Sequence, residues 1–161
     1  LGLDPARMPI VSLATNETDV AALTAEEAEG HITAAPYFAS LNTAPSRRFA
    51  QAYHARFGED SPITAGAEAA YSQVHLVADA ARRAGGLAVP DLVQALDGAQ
   101  FEAPQGLVTI DGDTQHTSLW PRIARIDARR QFKIIYAARA AVRPVPYLVD
   151  HALDPEALAL P

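Results

Sequence analysis

The alternation of apolar and polar positions divides the chain into two textures. Up to about Gly98 the apolar residues recur at helical spacing between short strand-like runs, and after Gly98 they recur every second residue. Met8-Pro-Ile-Val-Ser-Leu13 reads as a short buried strand, followed by a helix from Glu17 to about Glu27 with Val20, Ala21 and Leu23 as its apolar face. Ile32 to Ala35 is a second strand, and Pro36, which has no backbone N–H, ends it. Thr43 caps the next helix, with Pro45 in its first turn, where no amide donor is needed. Phe49, Ala52, Tyr53 and Phe57 share one face of it, and Gly58 stops it.

A longer helix spans about Ala65 to Ala84, with Ala67, Ala70, Tyr71, Val74, Val77, Ala78 and Ala81 as its apolar stripe and Gly85-Gly86 at its end. Pro90 to Leu96 is a third helix burying Leu92, Val93 and Leu96. Leu107 to Ile110 and Thr114 to Ser118 read as a hairpin around Asp111-Gly112. Arg122 to Ile126 and Phe132 to Tyr136 read as a second strand pair around Asp127 to Arg130. The prolines of Val142 to Tyr147 forbid helix and predict an extended tail.

This order is α/β, but two parallel strands are too few for three amphipathic helices to cover. The expectation is that further strands lie before Leu1 and that Leu1 is a cut end. The helices at Ser46–Phe57 and Ala65–Ala84 should then lack most of the sheet they cover.

Composition narrows the partners. The chain has 161 residues, 49% hydrophobic and 20% charged, with a formal net charge of -6. It lacks a basic stripe for nucleic acid or an anionic membrane and has no apolar run near the roughly 18 residues of a bilayer span. Without cysteine it has no disulfide, thiolate metal site or cysteine nucleophile. No glycine-rich phosphate loop or Gly-x-Ser-x-Gly elbow is present, and the five histidines show no pair at ligand spacing. His54 and His75 read as solvated or capping residues, and His116 as a partner in a cross-strand hydrogen bond. No acid–base or nucleophile constellation stands out, so the chain reads as a non-enzyme without cofactor or metal.

Two polar clusters remain at predicted strand ends: Ser12, Thr15 and Asn16, and Tyr37, Ser40 and Asn42. In open α/β sheets ligands bind beyond the carboxyl ends of strands, and hydroxyls, an amide and an aromatic suit a small uncharged polar ligand. The same residue types also cap helices and make turns. Glu68, in the first turn of the alanine-rich helix, either complements the helix dipole or accepts a ligand N–H in the cleft.

EGHITAAPYFASLNTAPSRRF, ITAGAEAAYSQVHL, FEAPQGLVTIDGDTQH, RIARIDARRQF and VRPVPY, in this order and spacing, resemble the type I periplasmic-binding-protein family. The resemblance runs from about Pro9 to Leu153. It points to the branch with the amide sensor of the aliphatic amidase operon and the urea and short-chain-amide receptors of ABC transporters. It implies the carboxyl-terminal half of a fold with two Rossmann-like α/β lobes, with a terminal β-hairpin region and ligand between the lobes. Residues 1–42 would be a second-lobe segment, 43–121 the first-lobe helices and hairpin, and 122–161 the return to the second lobe and the tail. By this resemblance Ser12 and Thr15 supply ligand hydroxyls and Tyr37 is the cleft-edge aromatic, while Ser40 lies where the chain crosses between lobes. Gly66 stands where the amide sensor carries a tryptophan and the urea receptors an acidic group, which fits a roomier pocket.

Two functions are implied. One is a cytoplasmic sensor of a small amide or urea that controls a transcription antitermination regulator. The alternative is a periplasmic receptor serving an ABC permease for urea, amides or amino acids. Neither inserts in the membrane or binds nucleic acid directly, and both allow a homo-oligomer.

Overall fold

A computed structural model of the chain describes residues 4–5 and 7–145. Their elements run β1 (Val11–Ser12), α1 (Glu17–Ala21), α2 (Ala25–Ala28), β2 (Ile32–Ala35), α3 (Ala44–Phe57), α4 (Ala65–Ala84), α5 (Val89–Leu96), β3 (Gln100–Ala103), β4 (Gly106–Thr109), β5 (Arg122–Ile126) and β6 (Phe132–Ala137). The architecture is mixed α/β. A four-stranded sheet has the order β1-β2-β5-β6, with β1 and β2 parallel and the other pairs antiparallel. β3 and β4 form a separate hairpin.

The chain therefore leaves the large sheet after Ala35, builds α3 to β4, and re-enters at Arg122. The register sets Ala35 opposite Arg122, so the exit and the return lie side by side. Three apolar clusters follow this division. Val20, Ala28, Phe38, Ala124, Ile126 and Phe132 pack on the large sheet. Leu76, Ala99, Ala103, Val108 and Ile110 join α4 to the hairpin. Tyr37, Phe49 and Ile63 close α3 over the exit segment.

Several local expectations change. The first strand is exposed rather than buried, with Leu13 at 85% exposure, because β1 is a two-residue edge. The helix expected over Glu17 to Glu27 is two short ones. Asn16 and Asp19 form one capping box and Thr24 and Glu27 another, and the second restarts the backbone where a continuous helix would have run. Val20 is buried as expected, whereas Ala21 and Leu23 are exposed.

α4 turns a different face inward from the one its apolar pattern picks out. Glu68, Ser72, Leu76 and Ala80, spaced by four, are buried, while Val74 stays 67% exposed and Val77 also faces outward. On α3 only Phe49 of the expected face is fully buried, and on α5 Val93 is exposed. The strand pair of β5 and β6 matches its pattern. The hairpin matches in part: β4 forms its regular ladder with β3 through Pro104-Gln105, while the expected arm keeps the Ile110–Thr117 bridge. Across that arm the Asp111 amide donates to the His116 carbonyl and the Ser118 amide to the Thr109 carbonyl, each at 2.8 Å. In the tail, Val142 bridges to Leu119, and Pro146 and Tyr147 lie outside the described residues.

Candidate functional site

The carboxyl ends of β1 and β2 carry the residues singled out by sequence. Ser12 Oγ accepts the amides of Ala14 and Thr15, each at 3.0 Å, which curls the chain back immediately after β1. Thr33 on β2 then donates its hydroxyl to the Thr15 carbonyl at 3.1 Å, holding this turn against the sheet. Asn16, not Thr15, caps α1, so the Thr15 hydroxyl makes no hydrogen bond among the described residues. Thr15 is half-buried.

After Pro36 the chain drives Tyr37 and Phe38 inward on opposite sides. Tyr37 is 0% exposed, edge-on to Phe49, with its hydroxyl 3.3 Å from Ser46 Oγ. Burial raises its pKa, the Ser46 bond opposes this, and Glu17 and Glu68 push it up further. Tyr37 therefore lies under α3, inside the exit segment, rather than at an open cleft edge. Ser40 is exposed on the same segment and makes no hydrogen bond among the described residues. It lines a cavity of about 330 Å³ with Glu17, Ala39, Arg130, Gln131 and Phe132. Asn42, by contrast, accepts from Arg47 at 2.7 Å.

Glu68 is neither on the surface nor open to a cleft. Its carboxylate accepts from Ser72 Oγ at 3.0 Å and from Gln105 Nε2 at 2.9 Å, and the residue is 0% exposed. Burial raises its pKa most strongly, while the Ser72 and Gln105 hydrogen bonds and the charge of Arg122 pull it back. Ser12 and Thr15 are thus brought together and Ser40 stands beside Glu17, while Tyr37 and Glu68 belong to the buried joint behind them.

Three residues that matter here were not singled out by sequence. Glu17 Oε1 accepts the amide of Ala39 at 3.0 Å, tying α1 to the exit segment, and burial pushes its carboxyl upward. Gln105, buried in the β3–β4 turn, uses both ends of its side chain: Nε2 donates to Glu68 and Oε1 accepts from Trp120 N at 3.2 Å. Arg122 Nη2 donates to the Gln105 carbonyl at 2.8 Å, and Nη1 donates to the carbonyls of Trp120, at 2.9 Å, and Pro36. The only available signal was the Ala-Pro-Gln-Gly turn sequence, because their partners lie far away along the chain.

His54, His75 and His116 stay out of this region. His54 pairs with Glu59 at 3.7 Å and His75 stacks on Phe101. The His116 backbone carbonyl accepts the Asp111 amide at 2.8 Å, the expected cross-strand bond, while its Nδ1 makes a local contact with the Thr114 carbonyl. Among the described residues no three His, Asp or Glu side chains converge as metal ligands, and no helix is long and apolar enough to cross a membrane. A larger cavity, about 580 Å³, lies at the opposite, amino end of β2 around Glu26, Glu29 and Arg125.

Comparison with known proteins agrees with this architecture. A solute-binding protein of an ABC transporter from Rhodopseudomonas palustris BisB5, solved with 3,4-dihydroxybenzoic acid, superposes with a TM-score of 0.74 at 23% identity over 84% of this chain and 38% of its own. The branched-chain amino acid transporter substrate-binding protein LivJ from Streptococcus pneumoniae, solved with isoleucine, gives a TM-score of 0.67 at 26% identity over 89% of this chain and 38% of its own. A limonene hydroxylase of Geobacillus stearothermophilus is 25% identical over 79% of this chain, which spans 23% of that protein. The chain thus spans less than two fifths of each of these relatives. The family described as the periplasmic binding protein domain matches residues 1–152, and the mixed α/β fold is part of the type I, two-lobed architecture; the chain belongs to that family.

Proposed function

We propose that this chain forms the hinge side of a non-enzymatic receptor that binds a small neutral amide or urea between two lobes. The observation that carries the reading is the pair of uncommitted hydroxyls, Thr15 and Ser40, beyond the carboxyl ends of β1 and β2. Each can donate to a carbonyl and accept from an N–H, as a primary amide requires. The nearby cation is already engaged: Arg130 donates to the carbonyls of Ala21, at 3.2 Å, and Leu23, at 2.9 Å. A carboxylate ligand needs a free cation or a cluster of amide donors, so this wall favours a neutral ligand over an aromatic acid or an amino-acid zwitterion.

Family membership supports the role of substrate-binding component of an ABC transporter, which would act in the periplasm. The segments ITAGAEAAY and RIARIDARRQF favour the cytoplasmic amide sensor, with an antitermination regulator as partner. Calorimetric titration of the full-length protein with acetamide, butyramide, urea, 4-hydroxybenzoate and isoleucine tests the ligand class. Saturable binding of amides or urea is expected. Binding confined to the acids or the amino acid would overturn the reading. Co-purification with a permease or with a regulator then assigns the role.

A further inference from the structure

We propose that Arg122 is a positioning residue: it pins the two connections of the fold to each other and so fixes the Pro36–Ser40 segment beside the candidate site. Strand pairing brings Ala35 opposite Arg122 and goes no further, because Pro36 has no N–H to extend the ladder. At Pro36 the exit segment has only a carbonyl to offer toward β5. Arg122 meets it with its side chain. Nη1 donates to the Pro36 carbonyl on the exit and to the Trp120 carbonyl on the return, while Nη2 donates to the Gln105 carbonyl in the β3–β4 turn.

One guanidinium thus ties together segments separated by 86 and by 17 residues of sequence. Its residue is 7% exposed, so water has little access to replace these bonds. The charge is balanced at one remove, through Gln105, by Glu68. A planar fork reaching three carbonyls is a task for arginine; lysine supplies the charge at a single point. Glu17, holding the Ala39 amide from the other side, completes the clamp on the segment that carries Ser40.

The test uses the full-length protein and has two arms. In the unmodified protein, nitrogen-15 NMR of the arginine side chains should find the Arg122 Nη protons in slow exchange with water, unlike those of exposed Arg129. Arg122 protons exchanging as freely as those of Arg129 would overturn the proposal even if no variant folds. In Arg122→Lys and Arg122→Gln, amide hydrogen exchange at Tyr37–Leu41 should quicken about five- to tenfold while α5 is unchanged. Wild-type exchange in Arg122→Lys would overturn it, because charge alone would then suffice. The placement of the site, which rests on the proposed function, is read separately: quickened exchange with unchanged amide affinity leaves the pin standing and removes this segment from the site.

Discussion

The side-chain amide of Gln105 donates to Glu68 at 2.9 Å across 37 residues of sequence, joining the β3–β4 turn to the first turn of α4. The pair is fully buried and each member has a second partner, so removing either leaves donors or acceptors stranded away from water. Gln105→Leu, which keeps the volume roughly constant, should therefore cost about 2–4 kcal/mol. Urea unfolding of the full-length protein checks this as a lowered midpoint at unchanged slope; an unchanged midpoint would mean that the buried amide carries no net stability.

Glu68 also sets a pH dependence whose sign follows from its environment. Burial raises its carboxyl above the ordinary 4.5 despite the opposing hydrogen bonds and Arg122. The folded protein then holds this proton at pH values where the unfolded chain has lost it. The stabilising contribution is full below about pH 4.5 and is lost as pH rises through the raised value. Glu68→Gln should flatten the fall in stability between mild acid and neutrality, read as urea midpoints across that range. Glu17 shifts in the same direction, so the double variant with Glu17→Gln should be flatter still.

Gly106 is fixed by what stands over it. Its φ is +131°, and a Cβ there would lie 2.7 Å from the Trp120 indole Nε1, which donates to the Leu107 carbonyl at 2.7 Å. Gly106→Ala should cost about 1–3 kcal/mol through backbone strain and displacement of the indole. Trp120 is the only tryptophan in the chain, so its fluorescence should shift as well. An unshifted spectrum with unchanged stability would contradict this account of the turn.

What could be read from sequence was whatever depended on neighbours in the chain. β2 ends at Pro36, α3 begins at Thr43, and the β5–β6 pair closes around Asp127 because proline, a capping hydroxyl and strict alternation act locally. The β3–β4 hairpin was missed because Asp111-Gly112 offers a turn signal as strong as Pro104-Gln105, and only burial of Ala103, Pro104 and Gln105 decides between them. The inward face of α4 was misread for a related reason. Glu68 and Ser72 are polar by composition and buried only because Gln105 and Arg122 arrive from elsewhere. Of the candidate site, Thr15 and Ser40 were legible as hydroxyls at strand ends. That Tyr37 would turn inward was not, since its partners Ser46 and Phe49 belong to the next helix.

Thr15→Val keeps the shape of the side chain and removes one hydroxyl, which has no protein partner among the described residues to lose. Stability should change little, whereas amide affinity in the full-length protein should fall by about 1–3 kcal/mol if that hydroxyl bonds the ligand in a closed cleft. Parallel thermal melts and calorimetric titrations separate the two effects. An unchanged dissociation constant would leave Thr15 as part of the β1 turn alone.

The most direct test of the central claim is a crystal structure of the full-length protein grown with butyramide. The account predicts the ligand between two lobes, with its amide group within hydrogen-bond distance of the Thr15 or Ser40 hydroxyl and with Tyr37 and Glu68 still buried behind it. Butyramide bound away from these strand ends, as in the cavity around Glu26, Glu29 and Arg125, would contradict it.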